Sequence, residues 1–503
     1  MRRILSPLAA AAVAVALLPL AAPAAANAAP PTPSATRLDL GPTPGVARTL
    51  TWRGCDSSLP SKARCSTLTV PRDWGDRSVS GTYSIALAKI PAAKPDKRIG
   101  VLTFNPGGPG STAVSNISWV YSLLPQRVRD RFDLVAWDPR GVGGSQPYVT
   151  GCSVKDVSPP ATGPVDWLAW TTKYVRVTAK GNAACLAANR SESPYLGTWQ
   201  LAHDIDAMRQ ALGEDTITFW GMSYGTTVGR AYAQLFPSRV RALLLDGTIS
   251  PKSTIELWAR EHTWDDPAAI DIALAALGPK YERRYARVMA ALDERTLPDG
   301  SGGQTTRWEV GSSIIRWASF QTTWGSIASL LNALDTAVRT RSVTDGRRVA
   351  RMIDDGSTGK SWFDPQWTYV NCSDMPDRPS VETLAELAEM GAAAGGVHVG
   401  QSVLREGAQC AGMPSLGRPL QPITSRLTLP TAPLISNAIG DNRTPWSAAQ
   451  DMTAAFTGSR AVQYGGTHHI IYGRVSKCVD RPVTRYLLKL KLPRSTVRCP
   501  LEW

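Results

Sequence analysis

The chain has 503 residues, of which 43% are hydrophobic and 19% charged, and its formal net charge is +14. A cationic surplus of this size can attract nucleic acid or anionic polymers, but the basic residues are scattered, without a long uninterrupted run. We therefore expect a solvated basic surface and no nucleic-acid binding.

The amino terminus has the pattern of a secretory signal peptide. Two arginines follow Met1, an apolar run spans residues 8–22, and Ala26-Asn27-Ala28 offers a cleavage site of the A-x-A type. We expect residues 1–28 to be removed and residues 29–48, rich in proline, alanine and threonine, to form an extended leader or propeptide. No later segment is long and apolar enough to span a bilayer. The sequence thus predicts a secreted, extracellular protein without stable membrane association.

A predicted strand at residues 99–104 leads into the glycine-rich loop NPGGPG at 105–110. Glycines let backbone N–H groups approach a developing oxyanion, and each such donor lowers a reaction barrier by about 3–4 kcal/mol. Another strand, at 132–137, leads to Asp138 and Arg140, which we expect to tie neighbouring loops together. Neither glycine cluster has the spacing of a dinucleotide-binding or P-loop motif, so no cofactor is predicted.

The motif GMSYG at residues 221–225 follows a β-prone run at 217–220 and precedes a helical pattern at 226–235. A G-x-S-x-G pentapeptide between a strand and a helix is typical of the nucleophile elbow of α/β-hydrolases. The elbow exposes the serine hydroxyl on a tight turn. Ser223 is therefore the candidate nucleophile, and the backbone N–H groups of Tyr224 and Gly108 are the candidate oxyanion donors.

An acid and a histidine should follow the serine in that order. A strand-like run at 432–438 leads to Asp441, and another at 461–464 leads to His468 and His469, while the three other histidines of the chain all precede Asp441. Either His468 or His469 is therefore the base. Asp246 also ends a strand-like run and is a rival acid, but we prefer Asp441 because it opens a loop shortly before the histidine pair.

The segment between residues 245 and 432 is richer in helical than in β-prone patterns. Helices are predicted at 254–262, 280–295, 313–338 and 380–394, and a flexible connector at 296–306. We interpret this segment as a helical cap inserted into a mostly parallel α/β-hydrolase core. The predicted divisions after the leader are core at 49–250, cap at 251–428 and core at 429–503.

The eight cysteines suit an exported protein, and no two are spaced as C-x-x-C, so a zinc site and other metal sites are not expected. Connectivity does not follow from sequence alone. Proximity along the chain suggests four pairs: Cys55 with Cys65, Cys152 with Cys185, Cys372 with Cys410, and Cys478 with Cys499.

Six ordered motifs together resemble the secreted tripeptidyl aminopeptidases of streptomycetes, which are serine peptidases related to the prolyl aminopeptidases. The motifs are NPGGPG at 105–110, DPRG at 138–141 with GS at 144–145, GMSYGT at 221–226, LDGT at 245–248, Asp441 with Thr444-Pro445, and His468 followed by Tyr472-Gly473 and Cys478-Val479-Asp480. The resemblance runs from about Cys55 to Cys499.

This resemblance implies a triad of Ser223, Asp441 and His468, with Asp246 in a position that has no catalytic role. One departure touches the active-site loop, because the family usually has glycine after the catalytic histidine and this chain has His469 there. The implied activity is release of short peptides, tripeptides above all, from free amino termini. An esterase or amidase that uses the same triad on small molecules is the alternative, since a fold does not fix a substrate.

An exopeptidase must recognise the α-amino group of its substrate, which is largely cationic at neutral pH. A carboxylate held away from bulk water would bind that cation. Asp374 is the candidate, because a disulfide at Cys372 would hold it in place; Glu261, Asp265 and Asp266 are alternatives. We expect peptide substrates as the partners of this chain, which we predict to be a monomer.

Overall fold

The computed structural model describes residues 50–150, 157–353 and 365–503. The predicted signal peptide, the leader and Cys152 lie outside these residues. Twelve strands occur in the described ranges: β1 Arg53–Gly54, β2 Arg64–Pro71, β3 Thr82–Ile90, β4 Gly100–Asn105, β5 Phe132–Trp137, β6 Ile217–Met222, β7 Val240–Asp246, β8 Leu297–Pro298, β9 Gln304–Thr305, β10 Leu434–Ala438, β11 Arg460–Tyr464 and β12 Val497–Cys499.

Ten of these strands form one sheet in the order β1-β2-β3-β5-β4-β6-β7-β10-β11-β12. The pairings from β1 to β5 are antiparallel, and those from β5 to β12 are parallel. Every residue of β4, β6 and β10 is buried, as expected for parallel strands covered on both faces. This mostly parallel sheet confirms the predicted α/β fold class.

Helices occur on both faces of the sheet and between β7 and β10. Their bounds are α1 Ile117–Leu123, α2 Gln126–Arg129, α3 Trp167–Ala188, α4 Thr198–Ala211, α5 Tyr224–Leu235, α6 Ile255–Leu277, α7 Pro279–Glu294, α8 Arg307–Ala318, α9 Trp324–Thr340, α10 Val343–Ile353, α11 Pro365–Asp374, α12 Val381–Gly395, α13 Val397–Gly407, α14 Trp446–Ala455 and α15 Lys477–Lys489.

Alternate residues of β6 enter two different hydrophobic cores. Phe219 packs in a core that also contains residues of α4 and α5. Trp220 packs in a second core with residues of α1 and α15. Successive side chains of a strand point to opposite faces, so the two cores cover the two faces of the sheet.

The segment between β7 and β10 is helical, as predicted, with α6 to α13 and a hydrophobic core of its own. Two details differ from the prediction. The helix expected at 313–338 is interrupted, because α8 ends at Ala318 and α9 begins at Trp324. The connector expected at 296–306 contains the β8–β9 hairpin, whose turn is fixed by Asp299 Oδ1 accepting the N–H groups of Ser301 and Gly303.

Three of the predicted disulfides are present: Cys55 with Cys65, Cys372 with Cys410, and Cys478 with Cys499. The fourth predicted pair includes Cys152, which lies outside the described residues. In the described part of the chain, no helix is both long and apolar enough to cross a membrane.

Candidate active site

Ser223 lies at the junction of β6 and α5, at the carboxyl edge of the parallel strands. Its backbone has a φ of 53° and a ψ of −126°, which is the strained geometry of a nucleophile elbow. A Cβ on Gly225 would lie 2.3 Å from the carbonyl oxygen of Asn105, so only glycine lets β4 and α5 approach this closely. The Ser223 N–H donates to the carbonyl of Asp246, 2.9 Å away, and fixes the turn.

The glycine-rich loop after β4 lies against Ser223. A Cβ on Gly107 would be 2.8 Å from the Cβ of Ser223. The Gly107 N–H already donates to Asn105 Oδ1 at 3.0 Å, so the next amide, that of Gly108, remains the candidate donor for an oxyanion. Tyr224 is the first residue of α5, where a backbone N–H has no partner within the helix.

Asp441 is buried in the loop after β10 and has four hydrogen-bond partners. Its Oδ1 accepts the N–H groups of Arg443 and Thr444 at 3.0 and 3.1 Å, and its Oδ2 accepts the Thr444 hydroxyl at 2.8 Å. The fourth partner is Nδ1 of His469, which donates to Oδ2 at 2.8 Å. This is the contact by which an acid orients a catalytic imidazole.

The geometry thus corrects the prediction that His468 is the base, because the histidine that contacts Asp441 is His469. No described group forms a hydrogen bond with either ring nitrogen of His468, although both nitrogens are buried. Burial, with the charge of Arg474 as the next cause, lowers the pKa of His468 to about 3. A general base works best with a pKa near the operating pH, so His468 is poorly suited to that role.

The residue after His469 has a backbone conformation that favours glycine. Ile470 has a φ of 65°, in the left-handed region that costs a non-glycine residue about 1–2 kcal/mol. With His469 as the base, the departure from the usual glycine is Ile470 rather than His469. Asp246 helps to hold this strained segment, because its buried carboxylate accepts the N–H groups of Ile471 and Tyr472 at 3.0 and 3.1 Å.

These two hydrogen bonds support the interpretation of Asp246 as a structural acid. Asp138 and Arg140 have the structural roles expected of them. Asp138 accepts the N–H groups of Ala113 and Val114 on one oxygen and that of Gly144 on the other, which joins the loops after β4 and β5. Arg140 forms a buried two-pronged ion pair with Asp204 of α4.

The break between α8 and α9 holds the acid loop and the base loop together. The Ser319 carbonyl accepts the His469 N–H at 2.9 Å, and the Ser319 hydroxyl donates to Asn442 Oδ1 at 2.8 Å. The Ala318 carbonyl accepts the Thr467 hydroxyl. Sequence reasoning missed Ser319 because the helical pattern continues through it, and only the end of α8 reveals that its backbone is free to bond elsewhere.

Asp374 lies at the end of α11, and both of its oxygens are engaged within the fold. Oδ1 accepts the N–H of Thr198 at 3.0 Å and Oδ2 accepts the Thr198 hydroxyl, so Asp374 caps the start of α4. The same hydroxyl contacts the phenol of Tyr224, next to the nucleophile. Burial raises the pKa of Asp374 to about 6.

Glu261 and Asp265 lie one turn apart on α6, and both are half-buried. Burial and their mutual proximity raise the pKa of Glu261 to about 8, and burial raises that of Asp265 to about 7, with the Asp441 carboxylate among the charges that contribute. Among the described residues, none donates a hydrogen bond to either carboxylate. The pair therefore consists of two acidic groups without a described hydrogen-bond donor, and the charge of Asp441 acts on one of them, Asp265.

Asp266 differs from its neighbour because it is fully buried and paired. It contacts His262 Nδ1 at 3.3 Å and accepts a hydrogen bond from Asn442 Nδ2 at 2.7 Å. Burial opposes ionisation, but these partners hold the pKa of Asp266 below its usual value. Asp266 thus connects α6 to the loop of Asp441 and is not free to bind a ligand.

Comparison with known proteins shows which families this chain resembles. The family described as alpha/beta hydrolase fold matches residues 100–322, and the family described as TAP-like protein matches residues 396–499. The serine protease Hip1 of Mycobacterium tuberculosis (strain H37Rv) is 29% identical over 506 residues, covering 91% of this chain and 92% of the relative. The tripeptidyl aminopeptidase of Streptomyces lividans is 25% identical over 482 residues, with 89% and 86% covered.

A third relative is named carboxylesterase B, from Mycobacterium tuberculosis (strain CDC 1551 / Oshkosh). It is 28% identical over 514 residues, which cover 96% of this chain and 95% of the relative. The resemblance to tripeptidyl aminopeptidases that the motifs predicted is thereby confirmed. The chain has an α/β-hydrolase fold and is a hydrolase, and its carboxy-terminal region is similar to the TAP-like family.

Proposed function

We propose that this chain is a secreted serine exopeptidase that releases tripeptides from free amino termini. Ser223 is the nucleophile, His469 the base and Asp441 the acid. The relatives named serine protease and tripeptidyl aminopeptidase support a peptidase. The three disulfides agree with an oxidising extracellular compartment.

In the proposed reaction, the Ser223 hydroxyl attacks the scissile carbonyl while His469 Nε2 accepts its proton. Asp441 holds the imidazole through Nδ1 and stabilises the cation that forms. The amides of Tyr224 and Gly108 donate to the oxyanion, and His469 then returns the proton to the departing amine. Water repeats the sequence on the acyl-enzyme and releases the short amino-terminal peptide.

The observation that carries the aminopeptidase proposal is the pair Glu261 and Asp265. Two carboxyl groups with raised pKa values and no described hydrogen-bond donor lie one turn apart on α6, and the charge of Asp441 acts on Asp265. A cationic α-amino group would supply the missing charge and favour the ionised carboxylates. We therefore place the amine site at this pair rather than at Asp374, whose oxygens are engaged by Thr198.

A set of anilide substrates tests the proposal. The kcat/KM for a tripeptidyl anilide with a free amino terminus should exceed that for its acetylated form by about tenfold to hundredfold, the range for losing one charged hydrogen bond. Aminoacyl and dipeptidyl anilides should react more slowly than the tripeptidyl one. Equal cleavage of free and acetylated substrates would argue against an aminopeptidase.

Two isosteric variants locate the amine site. Asp265→Asn should remove most of the preference for the free amine, whereas Asp374→Asn should mainly destabilise the start of α4. A loss of preference in Asp374→Asn alone would return the amine site to Asp374. Labelling of Ser223 by a fluorophosphonate probe in both variants shows whether the nucleophile remains active.

An esterase acting on small molecules is the second candidate, because one relative is named carboxylesterase B. The two functions differ in whether the rate of cleavage depends on a free amino terminus in the substrate. A chromogenic acyl ester cleaved far faster than every peptidyl anilide would favour the esterase. We also propose a monomer, which size-exclusion chromatography with light scattering would test.

A further inference from the structure

Arg474 lies in the loop after His469, where its guanidinium is flanked by two aromatic rings. Its Cζ is 5.6 Å from the ring centroid of Trp119 on α1 and 5.6 Å from that of Phe320 in the break between α8 and α9. The side chain is half-buried. The two rings come from the core and from the helical insertion, so Arg474 occupies the junction between them.

No carboxylate among the described residues forms an ion pair with Arg474. The acid that acts on it most is Asp246, whose oxygens already accept two backbone N–H groups. Partial burial of an arginine without an anion is unfavourable, because the guanidinium loses water and gains no partner. Arginine stays charged under all ordinary conditions, so an anion that reaches this junction would be bound.

The position of Arg474 relative to the proposed base, His469, indicates which part of a substrate reaches Arg474. The Phe320 ring lies 6.3 Å from the His469 ring and 5.4 Å from the His468 ring. His469 gives its proton to the leaving group in the proposed reaction, so the leaving group lies alongside it. An extended chain spans about 3.3–3.6 Å per residue, and the first two or three residues after the scissile bond therefore span the distance from His469 past Phe320 to Arg474.

We propose that Arg474 selects peptides that carry a carboxylate on the leaving side of the scissile bond. This inference rests on the proposed peptidase function. The carboxylate can be an acidic side chain or the carboxy terminus of a short leaving peptide. With the amine at Glu261 and Asp265, the site would then match both charged ends of a short peptide.

Four peptides distinguish the two sources of the carboxylate. Each has Ala-Ala-Ala before the scissile bond, followed by Ala-Ala as the free acid, Ala-Ala amide, Ala-Glu amide or Ala-Gln amide. The kcat/KM of the native enzyme should be about tenfold or more higher for the free acid than for Ala-Ala amide, or for Ala-Glu amide than for Ala-Gln amide. The pair that shows the difference identifies the source. The difference should shrink at high salt, since added ions screen the charge.

In the pair of peptides that shows a difference, Arg474→Gln should reduce the ratio of the two kcat/KM values to near one. Arg474→Lys should retain part of the preference. Arg241→Gln is the matched control, because Arg241 is also half-buried over an aromatic ring, 5.3 Å from the centroid of Phe132, but lies at the start of β7, at the opposite edge of the sheet. The ratio of kcat/KM values in Arg241→Gln should equal that of the native enzyme.

Two results would overturn the inference. In the native enzyme, ratios near one for both pairs at low salt would show that Arg474 does not read a leaving-group charge, and this result needs no variant to fold. An unchanged ratio in Arg474→Gln would assign the preference to another residue. Failure to cleave any of the four peptides, with an ester still hydrolysed, would reject the peptidase function and this inference with it.

Discussion

Two adjacent histidines have different environments although they differ by one position in the chain. His469 donates to Asp441 and its N–H is held by Ser319. His468 lies with its ring 5.4 Å from that of Phe320 and has no described hydrogen-bond partner. Successive side chains leave the backbone in different directions, so only one of the two can reach Asp441.

At the residue scale, His469→Gln should lower kcat/KM by a factor of about ten thousand or more, as expected for a lost triad base. His468→Gln should retain most of the activity, because His468 does not touch Asp441. The measurement is kcat/KM on a tripeptidyl anilide, together with the rate of fluorophosphonate labelling. A larger loss of kcat/KM in His468→Gln than in His469→Gln would assign the base to His468.

At the scale of elements, the end of α8 connects the insertion to the candidate triad. Ser319 is fully buried and bonds to both the loop of His469 and the loop of Asp441. Since these loops follow β11 and β10, their spacing depends on a residue from a different part of the fold. A small displacement of catalytic groups is costly, at about a hundredfold in rate per ångström.

Ser319→Ala should therefore slow fluorophosphonate labelling by about tenfold to hundredfold and lower the free energy of unfolding by about 1–3 kcal/mol, because Asn442 loses a buried partner. Ser459→Ala is the matched control. The Ser459 hydroxyl is also buried and donates to the Thr453 carbonyl at 2.6 Å, but it precedes β11 at the far edge of the sheet. Equal slowing in both variants would reduce Ser319 to a purely structural residue.

The carboxyl group of Glu261 on α6 predicts that the stability of the fold depends on pH. Folding raises the pKa of Glu261 from 4.5 to about 8, so the folded state holds this proton more tightly than the unfolded state. The resulting stability is present below about pH 4.5 and is lost as the pH rises towards 8. Glu261→Gln keeps a neutral side chain and escapes this loss.

The variant should therefore gain thermal stability over the native protein as the pH rises from 5 to 8. Calorimetric melting temperatures at several pH values measure this difference. Glu256→Gln, a change at a half-buried residue of the same helix that pairs with Arg260, should show no such trend. A constant difference between native protein and Glu261→Gln across this pH range would show that Glu261 is not held in its protonated form by the fold.

At the scale of the whole molecule, one edge of the parallel strands carries every loop of the candidate site. The loops follow β4, β6, β10 and β11, which are adjacent or separated only by β7 in the sheet. The strand next to β11 is β12, and the disulfide of Cys478 with Cys499 joins it to α15. We expect this bridge to stabilise the last part of the sheet, and neither cysteine is part of the candidate triad.

Replacing Cys478 and Cys499 together by alanine should lower the free energy of unfolding by about 3 kcal/mol, since the bridge closes a loop of 21 residues. The kcat of the folded enzyme should change little. Urea unfolding of both proteins provides the measurement. A large loss of kcat with little loss of stability would show that the bridge positions the loop of His469 instead.

The sequence by itself determined the features that depend on short-range chemistry. The elbow at Ser223 is recognisable because a tight strand-to-helix turn requires small residues at fixed offsets. The fold class follows from strand and helix patterns of a few residues each, and the resemblance carried by six motifs was confirmed. The preference for Asp441 over Asp246 came from its position in a loop shortly before the histidine pair.

The tertiary structure decided what depends on contacts between distant segments. Sequence order could not separate His468 from His469, because the choice is made where the loop meets Asp441 and Ser319. Asp374 is a helix cap because α11 packs against the start of α4, 176 residues away in sequence. Ser319 and Asn442 meet across 123 residues. Such contacts form only when the whole chain has folded, since local patterns specify which elements form but not which side chains they bring together.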